Sequence, residues 1–239
     1  MQSYRRILLS GLLRTPSGLM NLLQMTVLSY YFGNNGRTPY VHYMLLLGIP
    51  AFLGQLIAAG AAPKLADKHG AATTFAQANV FAGLALLAAF ALFLCRPQQL
   101  TQALPFTLLI LLLFCNMFCC GLVNTVQSIL SADAADLTEK ESGIRRDGIF
   151  VSGQSLLIKL STGVSALLQG LVFAISGFSG TAVRQINRAL YAGADFATDP
   201  SFATPRFAMF FLFLCLPGIA YLLSALPYRK GRNPHKAPV

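Results

Sequence analysis

Six long apolar segments, separated by shorter charged stretches, constrain the fold of this chain more than any other feature. A membrane-spanning helix needs about 20 predominantly apolar residues. The sequence is 55% hydrophobic and only 11% charged, which is too apolar for an ordinary soluble domain. We therefore expect one all-α membrane domain over residues 1–239. Its six transmembrane helices are predicted at about 7–33, 40–62, 72–95, 103–128, 149–178 and 204–226, with a cytoplasmic loop at about 129–148.

The fifth apolar segment carries a single charge near its middle, the ammonium of Lys159. With about 3.6 residues per helical turn, its polar residues are predicted on one side: Gln154, Ser155, Lys159, Thr162, Ser165 and Gln169. Leu157, Leu160 and Leu167 are predicted on the opposite, lipid-facing side. A charge at the bilayer centre costs about 2.5–3.5 kcal/mol. We therefore expect Lys159 to face a bundle interior or a wet cavity and to have a partner, the competing interpretation being a lysine that snorkels.

The net charge of +10 does not indicate a nucleic-acid partner, because the basic residues are dispersed between apolar segments and form no RNA-binding or DNA-binding motif. The expected surrounding is membrane lipid. Most basic loop residues fall on one side of the predicted bundle, and the positive-inside rule then places both termini in the cytoplasm. These residues are Arg5, Arg6, Lys64, Lys68, Lys140, Arg145, Arg146, Arg229, Lys230, Arg232 and Lys236.

Two other segments have a polar helical face, and two lack one. The first segment places Arg14, Ser17, Asn21, Gln24 and Tyr31 together, and the fourth places Asn116, Cys120, Asn124 and Gln127 together. The third and sixth have no long polar stripe and are predicted to be peripheral. The sequence contains no Ser-His-Asp, phosphate-loop or metal-ligand pattern, so an enzyme is not expected.

The charged stretch from Ser131 to Phe150 is the most specific motif, and it leads directly into the segment that contains Lys159. It resembles the loop before the eleventh helix of the glycoside-pentoside-hexuronide:cation symporters, the melibiose-permease-like branch of the major facilitator superfamily. Leu137 and Asp147 depart from the tyrosine and glutamate of that family. The matching residues are Ala132, Asp133, Asp136, Glu139, Gly143, Arg145, Gly148 and Lys159.

The resemblance implies a fold and a function. The six spans would correspond to helices seven to twelve, the C-terminal six-helix bundle of such a transporter. The implied activity is symport of a sugar or glycoside with Na⁺ or H⁺ by alternating access, in a bacterial inner membrane. No cofactor is implied beyond the coupling cation, which would be bound mainly by an N-terminal half.

The resemblance also implies roles for individual residues. Lys159 would face the acids of the N-terminal half across the cavity and link cation occupancy to sugar occupancy. Gln154, Ser155 and Ile158 would line the sugar path, together with Asn124 on the preceding span. The charged residues Asp133, Asp136, Glu139, Arg145 and Asp147 would form a cytoplasmic gating loop, for which the alternative is a solvated turn.

The distribution of acids leaves the assembly open. All eight Asp and Glu residues lie in predicted loops, and no predicted span contains a carboxylate. One hypothesis is therefore a half-transporter that works with an N-terminal six-helix half. The alternatives are a truncated or split-gene fragment that assembles without transporting alone, and a homodimer in which two copies build the cavity.

Overall fold

The computed structural model describes residues 2–36, 39–143, 147–176 and 179–228. Within these residues all regular structure is helical, and no β-strand occurs. The α-helices of this part of the chain are α1 (Gln2–Leu13), α2 (Leu19–Val27), α3 (Val41–His69), α4 (Ala71–Cys95), α5 (Ala103–Ser142), α6 (Asp147–Ile175), α7 (Gly180–Tyr191), α8 (Ala203–Phe210) and α9 (Leu216–Ser224).

Five helical stretches in the described part are long and apolar enough to cross a membrane. They are Val41–His69, Ala71–Cys95, Ala103–Lys140, Val151–Ile175 and Pro200–Tyr228, the last of which we call the final span. The first apolar segment is not among them because a 3-10 turn, Thr15–Gly18, divides it into two shorter helices, α1 and α2. The predicted all-α membrane class is confirmed.

The final span, α4 and α5 form the centre of the bundle. We compared the buried share of the most apolar stretch of each helix. This share is 56% in the final span and 50% in α5, but only 11% in α3 and 6% in α6. The third and sixth segments, predicted to be peripheral, are therefore interior within this chain. Small and aromatic residues allow this, because α4 and the final span approach closely at Gly83 and Gly218 and stack the rings of Phe93 and Phe210 at 4.2 Å between centroids.

The prediction of a loop at 129–148 is wrong for most of these residues, because α5 continues as a helix through Ser142. Two alanines of this extension, Ala134 and Ala135, are buried against Ile7 of α1, so tertiary packing supports the helix beyond the apolar segment. It ends at Gly143, whose φ of +69° is a left-handed conformation that favours glycine. The connection to α6 is therefore short.

The third helix also continues beyond its predicted end. The sequence predicted a span to about residue 62 followed by a charged turn, but α3 remains helical to His69, with Pro63 inside it. The break comes at Gly70, which has a φ of +86°. The single residue Gly70 therefore joins α3 to α4 at this end, which makes the two helices close neighbours.

The opposite end of the bundle is closed by α7 and the segment that follows it. The Asn187 side-chain oxygen on α7 accepts hydrogen bonds from the Tyr30 hydroxyl at 3.1 Å and the Asn35 amide at 3.0 Å. The buried guanidinium of Arg206 donates to the Phe196 carbonyl at 2.9 Å. The first two bonds join the end of the first segment to α7, and the third joins the final span to the segment that follows α7.

Candidate functional site

A cavity of about 550 Å³ lies among the first segment, α5 and α6. Its volume is within the range of small-molecule sites, about 300–1,000 Å³. The polar side chains that line it are mostly amides and hydroxyls, and none of the described lining residues is acidic. They are Arg14, Ser17, Asn21, Gln55, Asn124, Gln127, Ser128, Gln154, Ser161, Thr162 and Tyr221.

The cavity contains one formal charge among its described lining residues, the guanidinium of Arg14. Its Nη2 donates a hydrogen bond to the Gln127 side-chain oxygen on α5 at 2.6 Å. This bond fixes the direction of the guanidinium but leaves its charge uncompensated, because the amide oxygen is neutral. No ion pair of Arg14 is seen with any residue that the structure describes.

The α-helix of the first segment is interrupted beside Arg14, and the interruption exposes a backbone carbonyl to which α6 binds. Leu19 donates its backbone N–H to the Pro16 and Ser17 carbonyls instead of the Thr15 carbonyl four residues earlier. The Thr15 carbonyl oxygen then accepts hydrogen bonds from the hydroxyls of Ser161 at 2.7 Å and Ser165 at 3.1 Å. Two serines on α6 thus satisfy a backbone acceptor that a continuous helix would have used internally.

Two glycines on the first segment decide which side of α6 faces the protein. A Cβ on Gly18 would lie only 2.8 Å from the Ser165 hydroxyl, and one on Gly11 would overlap the Leu157 side chain. Leu157, predicted to face lipid, therefore packs on α1 and lines the cavity. That prediction is wrong because α6 approaches at glycines of a distant segment, which the helical period of α6 alone does not reveal.

Three of the five predicted sugar-path and coupling residues line this cavity. Gln154 and Ile158 reach it from α6, and Asn124 reaches it from α5. The Gln154 amide also donates to the Ser131 hydroxyl at 2.6 Å, which joins α6 to α5. The structure therefore brings together Gln154, Ile158 and Asn124, and their contact with sugar stays a prediction.

Lys159 and Ser155 are exposed and are not among the residues that line the cavity. At about 100° per residue, Lys159 lies about 140° around the helix axis of α6 from Gln154, so the two side chains leave the helix in different directions. Lys159 instead lies beside Ile158 and Thr162, at the exposed flank of α6. Its predicted role across an interface with another six-helix half stays a prediction.

The predicted gating residues lie at the junction of α5 and α6. Asp133 and Asp136 are exposed on the α5 extension, and Glu139 is partly buried there. Arg145 lies outside the described residues. Asp147 is the first residue of α6, and its side chain is not described. Asp133, Asp136 and Glu139 thus lie on a helix rather than in a loop, and the gating role of the motif stays a prediction.

Sequence reasoning placed Arg14 on a polar face but did not include it, Gln127 or Tyr221 among the site residues. A charge inside an apolar segment was the available signal for Arg14. Tyr221 had none, because its segment has no long polar stripe. Its hydroxyl lies 3.0 Å from the Cys120 sulfur, across the interface of the final span and α5.

A helical membrane bundle with a polar cavity between its helices has the architecture of a transporter. A family model described as MFS/sugar transport protein matches residues 1–230. Comparisons with curated proteins and with solved structures gave no match. The chain belongs to the MFS/sugar transport protein family, and it is an integral membrane protein of a transporter family, not an enzyme.

Proposed function

We propose that this chain is the C-terminal six-helix half of a cation-coupled sugar symporter of the melibiose-permease-like branch, and that sugar passes through the cavity described above. The observation that carries the proposal is the convergence of amides and hydroxyls from the first segment, α5 and α6 on one cavity, in a chain of a sugar-transport family. Transport is by alternating access, with the cavity facing each side of the membrane in turn.

The lining chemistry suits a polyhydroxylated ligand. Each sugar hydroxyl both donates and accepts hydrogen bonds, and an Asn or Gln side chain offers two donors and an acceptor. Asn21, Asn124 and Gln154 present such amides from three different helices. Apolar walls from Met117 and Leu157 lie between them and suit the C–H faces of a sugar ring.

The coupling cation requires an acid that this cavity lacks among its described lining residues. We propose that a second six-helix half supplies it and packs on the most exposed helices, α3 and α6. Lys159 on the exposed flank of α6 then faces that half. The second candidate function is a fragment that assembles with a partner half without transporting alone, and the same exposure favours it. Assembly with a partner half without gradient-driven uptake would favour this fragment, whereas uptake by the assembled pair favours the half-transporter.

We further propose that both termini are cytoplasmic, in a bacterial inner membrane, because the basic loop residues are concentrated on that side. The exposed Gly193, between α7 and the final span, then lies outside. A cysteine introduced there is expected to react with a membrane-impermeant maleimide in intact cells. Protection of that cysteine until the cells are lysed would reverse the orientation.

A single introduced tryptophan tests whether sugar enters the cavity. The chain has no tryptophan, so a Thr162→Trp variant reports from one position on the cavity wall. We expect a transported sugar, found by screening hexoses and their methyl glycosides, to change its emission in a saturable way. Leu167→Trp is the matched control, because Leu167 is 74% exposed on the same helix. Equal changes at both positions, or none at Thr162→Trp with a sugar that is transported, would contradict the proposed path.

A further inference from the structure

Another cavity, of about 570 Å³, opens on the lipid-facing surface of the bundle between α4 and α5. We call it the α4–α5 groove. Most of its lining comes from residues 74–88 of α4 and 112–122 of α5, and its walls are almost entirely apolar. The bulkiest side chains in these walls are Phe81, Phe114 and Phe118. The groove shares no lining residue with the cavity of the proposed sugar path, so the two are separate sites.

The dimensions of the groove favour a hydrocarbon chain over another helix. At 1.5 Å per residue, residues 74–88 span about 21 Å, so the mean cross-section is about 27 Å², equal to a channel about 6 Å wide. A helix with its side chains is about 10–12 Å wide. A hydrocarbon chain is about 4–5 Å wide, because non-bonded carbon atoms pack at about 4 Å. One leaflet of the bilayer core is about 15 Å thick, so an acyl chain of one leaflet fits along the groove.

One end of the groove is basic. Leu65 and His69 of α3 line this end. The exposed Lys68 lies about 60° around the helix axis from Leu65, whereas Asp67 lies about 160° from both Leu65 and His69, on the opposite side of α3. These charged residues place the end of α3 at the membrane surface, where lipid phosphates lie. The basic side chain nearest the groove is therefore positioned for an anionic headgroup.

An amide lies between this basic end and the apolar walls. Gln77 is exposed on α4 within two turns of the start of the helix, and it lines the groove. Within the described residues its side chain makes no hydrogen bond. A polar group that faces lipid without a partner is costly. The ester carbonyls just below a phospholipid headgroup are acceptors that can satisfy this amide.

We propose that the α4–α5 groove is a binding site for an anionic phospholipid. One acyl chain lies along the apolar walls, the Gln77 amide donates to an ester carbonyl, and the phosphate lies against Lys68 and the imidazole of His69. This inference goes beyond the proposed sugar transport and does not depend on it, because it uses no residue of that cavity.

Tryptophan fluorescence with brominated lipids tests the site in the purified full chain, which has no tryptophan of its own. Leu84→Trp places the reporter in the groove, and Leu56→Trp is the matched control on α3, outside it. The two leucines are equally far along the chain from Gly70 and are 50% and 59% exposed. Quenching by dibrominated phosphatidylglycerol in phosphatidylcholine, and by the reverse mixture, measures the preference for anionic lipid at each position.

We expect a preference of about fivefold for phosphatidylglycerol at Leu84→Trp, as one lysine near an anionic headgroup is sufficient to produce, and about equal quenching at Leu56→Trp. Adding Lys68→Gln to Leu84→Trp should lower the preference at least about twofold. Lys140→Gln is the control for this charge, because Lys140 is exposed on the α5 extension, outside the groove. It should leave the preference unchanged.

Three results would overturn the inference. An equal preference at Leu84→Trp and Leu56→Trp would mean that anionic lipid surrounds the basic protein without a site. A preference that survives Lys68→Gln would remove the assigned headgroup contact. Weak quenching by both lipids at Leu84→Trp would mean that another occupant, such as a second copy of the chain, excludes lipid. If Leu84→Trp fails to fold, Phe81→Trp reports from the same groove, because Phe81 is 62% exposed there.

Discussion

Replacing Lys159 with alanine is expected to reduce sugar accumulation by about tenfold or more in an assembled transporter. Coupling between two ligands typically has a free energy of about 1–3 kcal/mol, or 5–150-fold in affinity. In the proposed assembly, Lys159 projects from the exposed flank of α6 toward the acids of the partner half. Without this charge, cation occupancy no longer influences the sugar site, and sugar equilibrates across the membrane without accumulating.

The measurement is steady-state uptake driven by a sodium or proton gradient, together with uptake down a sugar gradient alone. Lys159→Ala should lose the first and retain much of the second, because the cavity lining does not include Lys159. Lys64→Ala is the control for loss of an exposed lysine and should accumulate sugar normally. Wild-type accumulation by Lys159→Ala would show that the lysine has no coupling role.

Local patterns in the sequence predicted the helical membrane class, because apolar length is sufficient to recognise a membrane-spanning segment. They did not predict how helices end. Ala134 and Ala135 belong to a charged stretch that the sequence predicts as a loop, but their burial on Ile7 stabilises about four further turns of helix. Such contacts join residues that are far apart in the sequence.

The candidate site shows the same limit. A helical period placed polar residues along α6, but Gly11 and Gly18 on the first segment determine that Leu157 and Ser161 face the protein. The pairing of Arg14 with Gln127 joins helices more than a hundred residues apart. The sequence revealed that the first segment carries a charge and that no predicted span carries an acid, and the arrangement of helices revealed which neutral side chain bonds that charge.

We also predict that this chain alone does not accumulate sugar, although it contains the cavity. A coupling cation inside a membrane requires a carboxylate that neutralises its charge. The described cavity lining has amides and hydroxyls, no carboxylate, and a positive Arg14 that repels a cation. The exposure of α3 and α6 also leaves the cavity without a second wall.

Uptake by proteoliposomes tests the half-transporter account most directly. One set contains the purified chain alone, and the other contains the chain assembled with the N-terminal six-helix half of a sugar:cation symporter of the same family. A variant of that half whose intramembrane aspartates are changed to asparagine is the matched control. We predict gradient-driven sugar uptake above empty vesicles only for the chain with the unmodified half. Gradient-driven uptake by the chain alone would contradict the account, and so would equal uptake with the asparagine variant.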